Sequence, residues 1–228
     1  MERDFMREKI KVGVLVSGNG TDLQSIIDAS EKEIIDAQVE IVISDKKNAF
    51  ALKRAEKHKI SNYFINPKEI KQEEHEKKID KLFEELKIDL IVGAGYMKIL
   101  SDSFVNKWYG KLINIHPALL PSFKGTSGQE DAINYGVKIS GCTTHFMDNK
   151  MDHGPIILQA AVKIYQNDNR DELANRILKI EHQILPRTIQ LFAEKRLKII
   201  GRKVKILPGE SWIDKYEYYP DVLYSEGY

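Results

Sequence analysis

Residues Lys11 to Ser30 read KVGVLVSGNGTDLQSIIDAS, and this stretch decides the fold. KVGVLVS is apolar almost throughout, the pattern of a strand buried on both faces. SGNGT supplies a glycine turn, and LQSIIDAS carries its isoleucines at helical spacing. A strand that passes straight into a helix is the first half of a βαβ unit. Further units follow: AQVEIVISD predicts a second strand, NAFALKRAEKH a second helix and SNYFIN a third strand. After Pro67, KEIKQEEHEKKIDKLFEELK predicts a long charged helix whose sparse apolar stripe is Ile70, Ile79, Leu82, Phe83 and Leu86. IDLIVGAGY is again apolar nearly throughout. The order predicts an α/β fold, a Rossmann-like, doubly wound, mostly parallel sheet.

Beyond it the pattern changes. KLINIH is the next strand. KISGCTTHFM and GPIILQAAVKIY are separated by a short loop, which predicts an antiparallel C-terminal extension. A long helix from about Asp171 to Glu194 follows, and LKIIGRKVKIL reads as a final hairpin. No linker or composition break divides the chain, so a single domain over residues 1–228 is expected, with a core from about residue 9 to about residue 200. The tail from about residue 207 to residue 228 is aromatic and acidic, has no period and carries no assigned role.

Composition excludes several function classes. The 228 residues hold 35 Lys plus Arg against 34 Asp plus Glu, a net charge of +1, so no global basic field draws the chain to nucleic acid or to an anionic membrane. The single cysteine, Cys142, allows neither an internal disulfide nor a Cys-rich zinc site, and its place in ISGCTTHFM suits a buried hydrophobe. No apolar run approaches the roughly 20 residues of a membrane span, and the N-terminus lacks a signal-peptide core. A cytoplasmic setting is the expectation.

Two motifs carry chemistry. SGNGTDLQ lies where a strand hands over to a helix, so the backbone N–H groups of Gly18 to Asp22 are free to meet an anion. Leu23 stands where a dinucleotide fingerprint needs its third glycine, so a phosphate is the functional reading and a plain tight turn the alternative. NIHPALLPSFKG, Asn114 to Gly125, ends a strand with two polar side chains two apart, which places them on one face. At the carboxyl end of a strand in an open α/β sheet, where ligands bind, a neutral amide and an imidazole suit a developing oxyanion and a moving proton. The alternative is a satisfied core histidine. The prolines stiffen the loop, and Leu120–Pro121 is a candidate cis bond. In MDNKMDHGP, Asp152 could pair with His116 and raise its pKa, while Asp148 and His153 read as turn chemistry. His58 and His75 are expected in solvent, His145 as a support within a strand. No histidine pair has metal-motif spacing, so no metal is expected.

At this point five blocks coincide in order with one family: VLVSGNGTDLQSIIDA, VISDKKNAFALKRA, VGAGYMKILS, LINIHPALLPSFKG and HFMDNKMDHGPIILQAAV. From about Lys11 to about Ile199 the sequence resembles the phosphoribosylglycinamide formyltransferases (glycinamide ribonucleotide transformylases) among the folate-dependent formyltransferases. The resemblance implies transfer of the formyl group of 10-formyltetrahydrofolate to the amine of glycinamide ribonucleotide in purine synthesis. It implies a catalytic trio of Asn114, His116 and Asp152. Gly20, Thr21, Asp22 and Glu181 match ribonucleotide contacts. Met97, Lys98, Ile99, Leu100, Asn114 and Asp148 match the folate pocket. Both partners are small molecules, and the protein is expected as a monomer or homodimer.

The sequence departs from the family pattern at Asp22, where an Asn is usual and a carboxylate would repel a dianion unless it turns away. Gly128 and Gln129 replace a His-containing stretch. Gln72 or Glu73 stands where some relatives use an arginine for the folate tail. Two relatives share the catalytic domain. Formyltetrahydrofolate deformylase, a hydrolase, carries an N-terminal regulatory domain, for which a first strand near Lys11 leaves no room. Methionyl-tRNA formyltransferase adds a C-terminal domain, for which the chain ends too soon. A folate- or nucleotide-binding module without catalysis is the remaining alternative, and the intact Asn114, His116 and Asp152 disfavour it.

Overall fold

The computed structural model describes residues 8–209, 219 and 221–228. Its centre is one ten-stranded sheet. The first half follows the expected alternation: β1 (Ile10–Val16), α1 (Thr21–Glu31), β2 (Ala37–Ser44), α2 (Phe50–Lys57), β3 (Ser61–Phe64), α3 (Gln72–Glu85) and β4 (Leu90–Gly93). Then come α4 (Asp102–Lys107), β5 (Leu112–His116), α5 (Gly128–Tyr135), β6 (Ile139–Phe146), β7 (Ile156–Lys163), α6 (Arg170–Ala193), β8 (Leu197–Ile200), β9 (Lys203–Ile206) and β10 (Leu223–Tyr224). The strands lie in the order β3-β2-β1-β4-β5-β6-β7-β9-β8. β3 to β5 are parallel, and β6 pairs antiparallel with both β5 and β7. The reversal of strand order between β1 and β4 creates the crevice at which such sheets bind ligands.

Alternation along the strands feeds two cores. Val12, Val14 and Val16 of β1 face one side with Leu23 and Ile26 of α1 and Ile177, Ile180 and Ile184 of α6. Leu15 faces the other, with Ile79 and Phe83 of α3 and Phe104 and Val105 of α4. Burial on both faces is the reason these strands read as continuous apolar runs. α6 starts where its sequence says it should: Asn169 accepts from the N–H groups of Asp171 and Glu172, and the Glu172 side chain accepts in return from Asn169 N.

Three expectations need correction. α3 begins at Gln72, four residues after Lys68, so Ile70 lies outside it. His75 is buried, with 2% exposure, and its Nε2 lies 3.1 Å from the Ile65 carbonyl. It sits one turn before Ile79 on the same helix face, so the core-facing stripe carries it inward, and burial lowers its pKa. His58 is half-buried against Glu31, with Nδ1 2.6 Å from the carboxylate. α4 and α5 were not foreseen in the sequence; both are short, and α5 opens on a glycine.

The described part of the tail joins the sheet. β10 pairs antiparallel with Ala160 and Ala161 of β7, and Arg187 Nε donates to the Gly227 carbonyl at 3.0 Å. Residues 210–218 and 220 of the tail lie outside the described residues.

Candidate active site

β5 delivers the two polar side chains to its carboxyl end. In register, Asn114 lies beside Gly93 of β4 on one side and His145 of β6 on the other. The Gly93 neighbour is necessary: a Cβ there would stand 2.8 Å from Asn114 Oδ1. Nδ2 of Asn114 lies 3.4 Å from His145 Nε2. His145 Nδ1 lies 2.9 Å from the Phe146 carbonyl, to which it donates, leaving Nε2 as the acceptor for Asn114. Burial lowers the His145 pKa, which keeps that ring neutral in this role. One amide N–H is thus held, and the other remains for an oxygen in the cavity.

His116 is held from both sides. Its Nε2 donates to the Phe123 carbonyl at 2.8 Å, and its Nδ1 lies 3.5 Å from Asp152 Oδ2. The loop that supplies Phe123 contains the cis Leu120–Pro121 bond. The Asp152 Oδ2 atom also accepts from Gly125 N at 2.8 Å, and Oδ1 lies 3.9 Å from His145 Nε2. The loop after β5 and the loop before β7 are therefore clasped through one carboxylate. Asp152 has a left-handed backbone, φ 46°.

The clasp depends on Gly154. A Cβ on Gly154 would lie 1.8 Å from the Phe146 carbonyl oxygen and 3.2 Å from Asp148 N, with backbone on every side. Gly154→Ala is expected to displace the loop that holds Asp152, lowering the thermal midpoint and reducing kcat/KM by at least about tenfold, the cost of roughly 1.4 kcal/mol of misplacement. A melting curve and a rate measurement check it; a wild-type rate would show that the loop position is immaterial.

Asn114, His116 and Asp152 share one cavity of about 360 Å³. Its walls also include Met97, Lys98, Ile99 and Leu100 after β4, together with Asp148, Asp22, His145 and Glu181. Met97 and Ile99 are well exposed at the mouth, and Leu100 is buried. Asp148 lines the space but turns its carboxylate to its own loop, accepting from His153 Nδ1 at 2.7 Å and Lys150 N at 3.0 Å. Burial opposes its ionisation, and the His153 and Lys150 hydrogen bonds outweigh that and hold its pKa below the usual range. Gln72 Nε2 donates to the Ile99 carbonyl at 2.9 Å and so braces the Met97–Leu100 segment, while Lys98 and Gln129 line the cavity itself.

The expected ribonucleotide contacts divide. Glu181 and Asp22 enter the main cavity, whereas Thr21 opens on a neighbouring cavity of about 430 Å³ with Arg54, Lys179 and His182. Gly20 is the left-handed cap of α1, φ 67°, with no side-chain cap bond, so the first N–H groups of α1 are not claimed by a cap side chain. Asp22 turns inward: its Oδ1 is buried without a hydrogen bond, 3.8 Å from His182 Nε2. Burial pushes its pKa up to about 7, and burial together with the Asp22 charge raises that of Glu181. The sequence reading did not single out His182, Phe123 or Gly125. The last two act through backbone atoms, which leave no residue-type signal.

The inward turn has a consequence for stability. With its pKa raised from 3.8 to about 7 in the fold, Asp22 binds more proton folded than unfolded. Its contribution is fully present below about pH 4 and lost as pH rises toward 7. Asp22→Asn, which cannot ionise, is expected to melt above the wild type at pH 8 and to lose that advantage at pH 4. A melting series across that range checks the sign.

A cavity at a strand-order reversal, lined by an amide donor, an imidazole and a carboxylate, defines a class of site suited to acyl transfer between small molecules. Residues 10–189 match the formyl transferase family, and the chain belongs to it. It is 40% identical over 190 residues to the phosphoribosylglycinamide formyltransferase of Haemophilus influenzae, covering 83% of this chain and 90% of that one. It is 43% identical over 203 residues to the human trifunctional purine biosynthetic protein adenosine-3, covering 89% of this chain but only 20% of that protein's length. The crystal structure of glycinamide ribonucleotide transformylase 1 from Symbiobacterium toebii superimposes with a TM-score of 0.87 at 39% identity, covering 91% of this chain and 99% of that one. Among the described residues no helix is long and apolar enough to cross a membrane.

Proposed function

We propose that this chain transfers the formyl group of 10-formyltetrahydrofolate to the amine of glycinamide ribonucleotide, a step of purine synthesis. The convergence of Asn114, His116 and Asp152 on one cavity carries this reading. The wall of Met97, Ile99 and Leu100 suits a flat, partly apolar ring system such as a pteridine, and the polar end suits an amine and a carbonyl. The folate supplies the formyl group and a nitrogen leaving group. As the amine adds to the formyl carbon, the free Asn114 N–H and the His116 ring stabilise the oxygen that gains charge. Asp152 holds His116 in orientation, and the pair takes up the proton given up by the amine. That proton then passes to the departing folate nitrogen through water. Asp148 steadies the loop on which Asp152 stands.

A monomer or homodimer acting in the cytoplasm, with no metal and no nucleic acid, goes with this reading. The test follows folate absorbance with and without glycinamide ribonucleotide. Consumption of formyl folate only when the ribonucleotide is present is the expected result. Consumption without it would identify a hydrolase, and binding without turnover a carrier.

A further inference from the structure

The carboxyl groups of half-buried Asp22 and buried Glu181 are not used by the mechanism above. Glu181 is 6% exposed, lines the cavity, and meets no hydrogen-bond donor among the described residues. Asp22 Oδ1 is buried in the same cavity wall without a hydrogen bond. Two carboxyl groups in one desolvated wall cannot both ionise cheaply. Among the described residues, Glu181 and His182 of α6 and the Cys142 thiol of β6 face Asp22, while Lys179 of α6, Arg54 of α2, and Asp28 and Lys32 at the end of α1 line the neighbouring cavity with His182. Arg54 is turned to Asn19 O and Gln24 Oε1, at 2.8 and 3.0 Å, so it is already engaged by neutral acceptors. His182, 3.8 Å from Asp22, resists charging because it is itself buried.

An anion seated on the open N–H groups at the head of α1 meets this wall directly, because Asp22 is the second residue of that helix. We propose that seating the phosphoester of the substrate there draws one proton into the Asp22–Glu181–His182 cluster, so that the substrate is bound with Asp22 as a neutral carboxylic acid. The inference rests on the ribonucleotide reading above. A dianion beside an ionised, poorly solvated carboxylate is strongly repelled, and a neutral acid removes that repulsion and adds an O–H donor. Asp22 thereby becomes a positioning residue that makes phosphoester affinity fall as pH rises. In this chain it occupies the place where an amide would be indifferent to pH.

The experiment is calorimetric titration of the full chain with glycinamide ribonucleotide in buffers of differing ionisation enthalpy, at pH 6 and pH 8, for the wild type and Asp22→Asn. At pH 8 the wild type is expected to take up about one proton more per ligand than the variant, and at pH 6 the difference shrinks. Correspondingly, the ratio of wild-type to variant KM rises by up to about tenfold per pH unit above 7. The ligand's own phosphate and amine titrations are common to both proteins and cancel in the difference. Ribose 5-phosphate, which keeps the phosphoester and lacks the amine, is expected to give the same difference. Equal uptake by the two proteins, or a difference that vanishes with ribose 5-phosphate, overturns the inference while leaving the transferase reading intact. If neither protein binds the ribonucleotide, both readings fall. Should Asp22→Asn not fold, Asp22→Ser takes its place in the same titrations, and equal proton uptake by that variant and the wild type overturns the proposal.

Discussion

His116→Ala is expected to lower kcat by about three orders of magnitude, within the range of roughly 10²–10⁴ for removing a positioned acid–base group. The imidazole acts where charge develops, so its loss falls on the transition state more than on binding. KM for formyl folate is expected to change only a few-fold, because the wall of Met97, Ile99 and Leu100 is untouched. The alanine also leaves the half-buried Phe123 carbonyl without its 2.8 Å donor, a cost of about 1 kcal/mol to the fold. His116→Gln provides the comparison, since its longer amide reaches the place of Nε2 and can donate to that carbonyl yet cannot carry the proton. Near-equal losses of kcat in the two variants, with the glutamine variant melting higher, assign the rate effect to proton chemistry. A wild-type kcat in either variant would remove His116 from the mechanism.

Asp152→Asn is expected to cost roughly 10²-fold in kcat, at the low end of the same range. The substitution isolates charge from geometry. Asparagine tolerates the left-handed backbone at φ 46°, and its carbonyl oxygen can still accept from Gly125 N, the 2.8 Å bond that joins the two loops. What disappears is the negative charge 3.5 Å from His116 Nδ1. Because the two residues act as one unit, the double variant with His116→Ala is expected to be about as slow as His116→Ala alone. Losses that multiply instead would separate Asp152 from the His116 step and assign it an independent role.

The route from sequence to site was uneven for identifiable reasons. The strands of the parallel half announce themselves because burial on both faces leaves apolar runs at residues 12–16 of β1, 41–43 of β2 and 90–92 of β4. α1 and α6 are long enough to show a helical period. α4, six residues long, and α5, eight residues long, are too short to show one. His75 misled because its neighbours in sequence are charged, while its neighbours in space are the side chains one and two turns along the same helix face. Asp22 could not be read fully either: beside glycines at a helix start it reads as a ligand contact, but the wall it forms with Glu181 and His182 is made by α6, far away in the chain.

By itself the sequence determined the alternation of elements, the parallel sheet and the sharing of one strand face by Asn114 and His116. All three follow from local periodicity, which the chain carries in every short window. The tertiary structure alone decided that the Asp152 oxygen facing His116 also accepts from the Gly125 N–H, that Phe123 fixes the ring through its carbonyl, and that Asp22 and Glu181 meet in one wall. Those contacts join residues far apart in the chain, and their geometry is set by the antiparallel register of β5 with β6 and by the packing of α6 across the sheet. No short stretch encodes such a distance, because it is fixed only when the whole sheet has closed its core.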